Sequence, residues 1–130
     1  ILAAAVGDWR VKNISKKKIK KTEDKKLLTL NLIENPDILK TICSRKNRPE
    51  LVIGFAAETE DVIENAKKKL RKKGCDWVFA NKVSKETNNM GGDRNEVFLI
   101  KEEQIIHYKK SDKRTIAKLI KKEIIKKFND

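Results

Sequence analysis

The chain has 130 residues, 38% hydrophobic and 39% charged, enough apolar content to fold as one domain and too much for wholesale disorder. Its 32 basic and 19 acidic residues leave a net charge of +13, but 26 of the basic residues are Lys and only 6 are Arg. Base readers and phosphate clamps lean on Arg, and single-strand binders add aromatics, here 5%, so a nucleic-acid-binding module is disfavoured. No apolar run nears the roughly 18 residues that span a bilayer, and no secretory h-region follows a basic start.

Residues 1–6 (ILAAAV) read as a buried strand that breaks at Gly7-Asp8. Binding sites in parallel α/β sheets begin this way, at a polar residue on the carboxyl end of a strand. Asp8 can accept hydrogen bonds from a ligand there, and the lysines around Ile19 can neutralise phosphate. The same residues also read as a surface turn followed by a solvated charge run. Residues 28–33 (LTLNLI) alternate as a half-buried strand does. Asn35, Pro36 and Asp37 combine an N-cap side chain, a proline at the first helical position and an acid in the first turn. The helix they open is expected to run to about Arg45, and Arg48-Pro49 breaks it.

Residues 51–57 (LVIGFAA) form a continuous apolar run of strand length. Thr59 then caps a helix with Glu60 and Asp61 in its first turn. Val62, Ile63, Ala66 and Leu70 give that helix one apolar face, basic residues crowd its last turns, and Gly74 ends it. Residues 75–80 (CDWVFA) are the next strand, completing a βαβ unit. A polar loop over 82–94 leads to strands at 96–100 and 104–108, read as a hairpin around 101–103. Ser111-Asp112 caps a final helix with Ile116, Leu119, Ile120 and Ile124 on one stripe. Cys43 and Cys75 fit no zinc or redox spacing and read as buried thiols of a reducing cytoplasm. His107, the single histidine, reads as structural. The sum is one domain over 1–130: an α/β layered sheet, mostly parallel, with a late antiparallel hairpin. Because it begins with Ile inside an apparent core strand, it is expected to be part of a longer domain whose amino-terminal strands are missing.

Six stretches taken in order carry a family resemblance: AAAVGDWR, KIKK at 18–21, ENPDIL at 34–39, GFAAETED at 54–61, DWVFAN at 76–81 and NEVFLI at 95–100. Together they resemble the carboxy-terminal part of phosphopantothenate–cysteine ligase, often the second half of a bifunctional coenzyme A biosynthesis flavoprotein. The resemblance covers essentially the whole chain. It implies a three-layer, Rossmann-like sheet in a cytoplasmic enzyme that joins 4′-phosphopantothenate to cysteine at the expense of CTP. The substrate carboxylate would attack the α-phosphate of CTP, and cysteine would then displace CMP from the acyl-cytidylate. Mg²⁺ would accompany CTP, with no flavin on this part and no metal held by its own side chains.

By position, the resemblance implies that Asp8 holds the cytosine or ribose end of CTP, and that Lys18, on a flexible flap, stabilises cytidylyl transfer. Ile33, Glu34, Asn35 and Pro36 would meet the nucleotide, Phe55 would pack beside it, and Lys69 and Lys73 would reach the triphosphate. Without the resemblance Phe55 reads as core, Lys69 and Lys73 as solvated lysines, and Lys18 as one member of a charge run. The sequence also departs from the family. Lys82 stands where an acid usually follows Ala-Asn, and Asn89-Met90 where Gly-Phe is common. The family's Gly-rich phosphate loop and Asn-x-Ser-Ser-Gly segment are absent from these residues. The expectation is a homodimer or a companion chain carrying the amino-terminal half, with a non-catalytic remnant as the alternative.

Overall fold

Two long apolar runs pair side by side in the sheet, and helices cover both of its faces. The computed structural model describes residues 1–3, 6–20, 28–83 and 92–129. Strands β3 (Ile53–Glu58) and β4 (Trp77–Lys82) pair in parallel through α2 (Val62–Lys73). Then β5 (Arg94–Ile100) and β6 (Ile105–Asp112) extend the sheet as an antiparallel hairpin, in the order β3-β4-β5-β6. Alternate residues of these strands feed two clusters. Ala56, Val78, Ala80 and Ile100 meet Ala66 and Leu70 of α2. Ile53, Phe79 and Leu99 meet Ile116 of α3 (Lys113–Asn129), with Leu119, Ile120 and Ile124 packed alongside. Helices therefore lie on both faces, which is why β3 and β4 read as unbroken apolar runs.

Helix α3 carries the expected apolar stripe and is capped by Asp112, whose Oδ1 accepts the Thr115 N–H at 2.8 Å. Gly74 ends α2 in the left-handed region at φ 70°, where a Cβ would be strained. The hairpin stands as read but is longer at its open end, from Arg94 and on to Asp112, while its second strand starts one residue later, at Ile105. The sheet is mixed rather than mostly parallel: β3–β4 is the parallel pair between described strands, and β4–β5 and β5–β6 are antiparallel.

Other boundaries move, each for a local reason. Of the strand read over 1–6, residues 4 and 5 lie outside the described residues; among the others Leu2 makes a parallel bridge to Gly54, while Ile1 and Val6 are exposed rather than buried. The strand read over 28–33 is the short β2 (Leu32–Glu34), paired antiparallel with β1 (Trp9–Val11). Its apolar face, Leu28, Leu30 and Leu32, is exposed because the two-stranded arm has no layer over that side among the described residues. Helix α1 (Ile38–Cys43) is capped by Asp37 rather than Asn35, since Asp37 Oδ1 accepts the Lys40 N–H at 3.0 Å. It stops at Cys43 instead of Arg45, with the Ser44 N–H bonded to Lys40 O at 3.0 Å. Helix α2 is capped by Asp61 rather than Thr59, because Asp61 O accepts the first intrahelical bond, from Asn65 N. Strand β4 starts two residues late because the Asp76 carboxylate is held by Arg48 and by the Val52 N–H. Asn89, Met90 and Gly91 of the polar loop lie outside the described residues.

Cys75 is buried and Cys43 half-buried, both free, and burial pushes the Cys75 thiol up to about 11. That makes it inert as a nucleophile at neutral pH. His107 stacks on Phe98, ring centroids 4.5 Å apart, with Nε2 2.6 Å from Glu96 Oε1 on the exposed side of the hairpin.

Candidate functional site

A cleft of about 560 Å³ opens where the turn at Gly7–Trp9, the chain from Glu34 to Leu39, β3 and the last turns of α2 come together. That volume suits a small organic ligand. Of the residues singled out from sequence, Asp8, Glu34, Asn35, Pro36, Phe55, Lys69 and Lys73 all line it. Ile33 does not; it is half-buried opposite Arg10 in the β1–β2 ladder. Lys18 does not either: it is exposed in the segment that follows β1, away from the lining.

Each lining side chain is placed by its element. Lys69 and Lys73 are one turn apart on α2 and so share a face. Lys69 Nζ donates to the Phe55 carbonyl at 2.7 Å, tying the helix to β3. Lys73 is ion-paired with Asp37 Oδ2, half-hidden from water. Burial pushes the Asp37 carboxyl up, but the Lys40 N–H and the Lys73 ammonium outweigh it and hold the group below the ordinary carboxylate range. Phe55 shows 36% of its surface and stacks on Phe79, centroids 5.6 Å apart. Its ring therefore serves both readings, half in the core and half in the cleft.

Asn35 is more engaged than a nucleotide-contacting residue need be. Its Nδ2 donates to Gly7 O at 2.7 Å, its Oδ1 accepts from Arg10 at 2.8 Å, and its N–H donates to Asp8 O at 2.8 Å. Among the described residues the Asp8 side chain has no hydrogen-bond or ion-pair partner. Sequence reasoning missed Lys72, Trp9 and Asp37, which line the same cleft. Lys72 was legible as the i+3 neighbour of Lys69, and Trp9 as an aromatic next to Asp8. Asp37 was read only as a helix-start residue.

The walls are chemically unlike. Asp8 and Glu34 offer acceptors, Lys69, Lys72 and Lys73 offer cations, and Phe55 and Trp9 offer ring faces. Such a set fits a ligand with a flat, donor-bearing ring and an anionic tail.

The sequence matches the DNA/pantothenate metabolism flavoprotein C-terminal domain over residues 1–128. The chain belongs to that family. It is 38% identical over 121 residues to the coenzyme A biosynthesis bifunctional protein CoaBC of Borreliella burgdorferi, covering 92% of this chain and 30% of that protein. The CoaBC of Escherichia coli K12 is 32% identical over 128 residues, covering 98% of this chain and 32% of that protein. The chain thus spans about a third of the length of these curated relatives. The crystal structure of the C-terminal domain of CoaBC superposes with a TM-score of 0.69 at 32% identity, covering 98% of this chain and 53% of that one. The DNA/pantothenate metabolism flavoprotein of Streptococcus pneumoniae shares the fold, with a TM-score of 0.64 over 81% of this chain and 44% of that one, at 24% identity. The resemblance drawn from the six ordered stretches is borne out over residues 1–128.

Proposed function

We propose that this chain supplies the nucleotide-binding part of a CTP-dependent phosphopantothenate–cysteine ligase of coenzyme A biosynthesis, within a Rossmann-like layered domain. The observation that carries the reading is the cleft itself. Seven residues scattered from position 8 to position 73 in sequence line one cavity, with acceptors, ring faces and cations on separate elements.

Asp8 is free to accept N–H or O–H donors from the base or ribose. Lys69, Lys72 and Lys73 supply positive charge for phosphate oxygens, and Lys73 exchanges its Asp37 partner for phosphate when the nucleotide enters. The 4′-phosphopantothenate carboxylate attacks the α-phosphorus and pyrophosphate leaves. The cysteine amine then attacks the acyl carbon and CMP leaves. Charge grows on phosphate oxygens in the first step, which is where fixed cations lower the barrier. Lys18 enters that step by closure of the exposed segment after β1 over the cleft, excluding water. Among the described residues no three His, Cys, Asp or Glu side chains cluster as metal ligands. Mg²⁺ is assigned to the triphosphate it arrives with, as is usual for this ion. No helix among the described residues is long and apolar enough to cross a membrane. The working unit is a homodimer or a pair with a chain carrying the amino-terminal half.

Isothermal titration with CTP and Mg²⁺ tests the binding step, and CMP release with both co-substrates tests the ligation, with the amino-terminal half supplied. Failure to bind CTP sinks the reading. Binding without CMP release marks a non-catalytic subunit. With turnover established, Lys18→Gln is expected to abolish CMP release while leaving CTP affinity within a few-fold.

A further inference from the structure

We propose that Arg10 is a positioning residue for the Asp8 carboxylate, acting through the Asn35 amide; this rests on the nucleotide-binding reading of the cleft. Arg10 does not line the cleft. From β1 its Nη1 reaches across the two-stranded arm and donates to Glu34 O at 3.2 Å and to Asn35 Oδ1 at 2.8 Å. A guanidinium is a donor only, so it selects one orientation of the Asn35 amide. In that orientation Nδ2 faces the Gly7 carbonyl at 2.7 Å. Turning the amide over would set NH₂ against the guanidinium and oxygen against a carbonyl.

The consequence falls on Asp8. Gly7 O accepts the Asn35 side chain, and Asp8 O accepts the Asn35 backbone N–H at 2.8 Å. These carbonyls belong to the two peptide planes on either side of the Asp8 Cα. Peptide groups are rigid, so holding both planes holds the φ and ψ of Asp8 and with them the direction of its Cα–Cβ bond. The residue before it is glycine, the most mobile neighbour available. A bare Cβ at Gly7 would meet only Trp9 O, at 3.7 Å, so packing does little to hold that position. The bonds to Asn35 supply the stiffness instead. Asn35 therefore acts on the ligand through Asp8, its amide being occupied on both sides.

The test pairs a measurement without ligand and one with it, on Arg10→Gln and the conservative Arg10→Lys. By NMR, hydrogen exchange of the Asn35 backbone amide is expected to accelerate in Arg10→Gln, with the Gly7 and Asp8 amide resonances displaced and the melting temperature little changed. CTP affinity in the presence of Mg²⁺ is expected to fall about tenfold, equal to about 1.4 kcal/mol, and to recover partly in Arg10→Lys. In an Asp8→Asn background, Arg10→Gln is expected to cost nothing further, because its effect passes through the carboxylate. Unchanged exchange overturns the clamp. Faster exchange with unchanged affinity, or an equal loss in the Asp8→Asn background, overturns the positioning role. Absence of CTP binding by the parent chain overturns the nucleotide reading and the role built on it, while the exchange data still decide whether the clamp exists.

Discussion

Gly54 is the position where a single methyl group tests the packing beneath the cleft. It lies in β3 between the bridge to Leu2 and the ladder partner Val78. A Cβ built there would stand 2.7 Å from Leu39 Cδ2 and 3.8 Å from Cys75 Sγ. Carbon atoms rest at about 3.5–4.0 Å, so Leu39 has to withdraw by about 1 Å. It belongs to the buried cluster that holds Val52, Ala66 and Leu70, so retreat in that direction meets packed atoms. Overpacking of this kind costs about 1–3 kcal/mol, of which roughly 0.5–1 is returned by the lower chain entropy of alanine in a strand. At the middle of both ranges the expected net loss for Gly54→Ala is about 1 kcal/mol. Urea denaturation reads it as a lower midpoint at constant slope, a shift of about 1 M for a slope near 1 kcal/mol/M. Leu39→Ala alone is expected to cost about 2–5 kcal/mol. In that background Gly54→Ala becomes neutral or stabilising, since the added methyl fills vacated space. A Gly54→Ala chain as stable as the parent, or one equally weakened with and without Leu39, would refute the reasoning.

Three further outcomes follow from the same structure. The Tyr108 hydroxyl is buried without a hydrogen-bond partner among the described residues, and burial pushes its phenol up to about 12. Tyr108→Phe is thus expected to be neutral or to stabilise by up to about 1 kcal/mol in thermal or urea unfolding, and a clear loss would reveal a partner. Asp37 titrates below the ordinary carboxylate range in the folded chain, so its contribution is present above the unfolded value and lost as pH falls through the lower, folded one. Stability measured from pH 5 down to pH 2 should fall less steeply in Asp37→Asn than in the parent; parallel curves would refute the assignment. Asp76 accepts from both Arg48 and the Val52 N–H (the latter at 2.7 Å), so Asp76→Ala leaves two donors without it. After allowance for partial exposure the loss is expected at about 1–3 kcal/mol, and a change within 0.5 kcal/mol would show that water replaces the carboxylate.

The βαβ unit, the hairpin and α3 were legible because each is written in a local period. The apolar face of α2 (Ala66, Leu70), the stripe on α3 and the runs in β3 and β4 repeat at the spacing of their own backbone. Gly74 and Asp112 were legible as ends because a cap acts within one turn. The β1–β2 arm was not. The alternation over 28–33 states that one face is apolar, but not whether anything covers it, and Leu28, Leu30 and Leu32 stand exposed. Element starts slipped where side chains had long-range engagements, at α1 where Asn35 bonds Gly7 and Arg10, and at β4 where Asp76 bonds Arg48.

Taken alone, the order of amino acids determined the family, the main elements and seven of the residues that line the cleft, because family membership and element periods reside in residue type and spacing. Tertiary structure alone decided which of those groups already hold partners within the fold. It paired Lys73 with Asp37 and Lys69 with the Phe55 carbonyl, gave both sides of the Asn35 amide to other residues, and left the Asp8 side chain without a partner among the described residues. It also set Lys18 outside the cleft. A side chain's availability depends on which distant donors and acceptors the folded backbone brings within about 3 Å of it, and no local pattern in the chain records that.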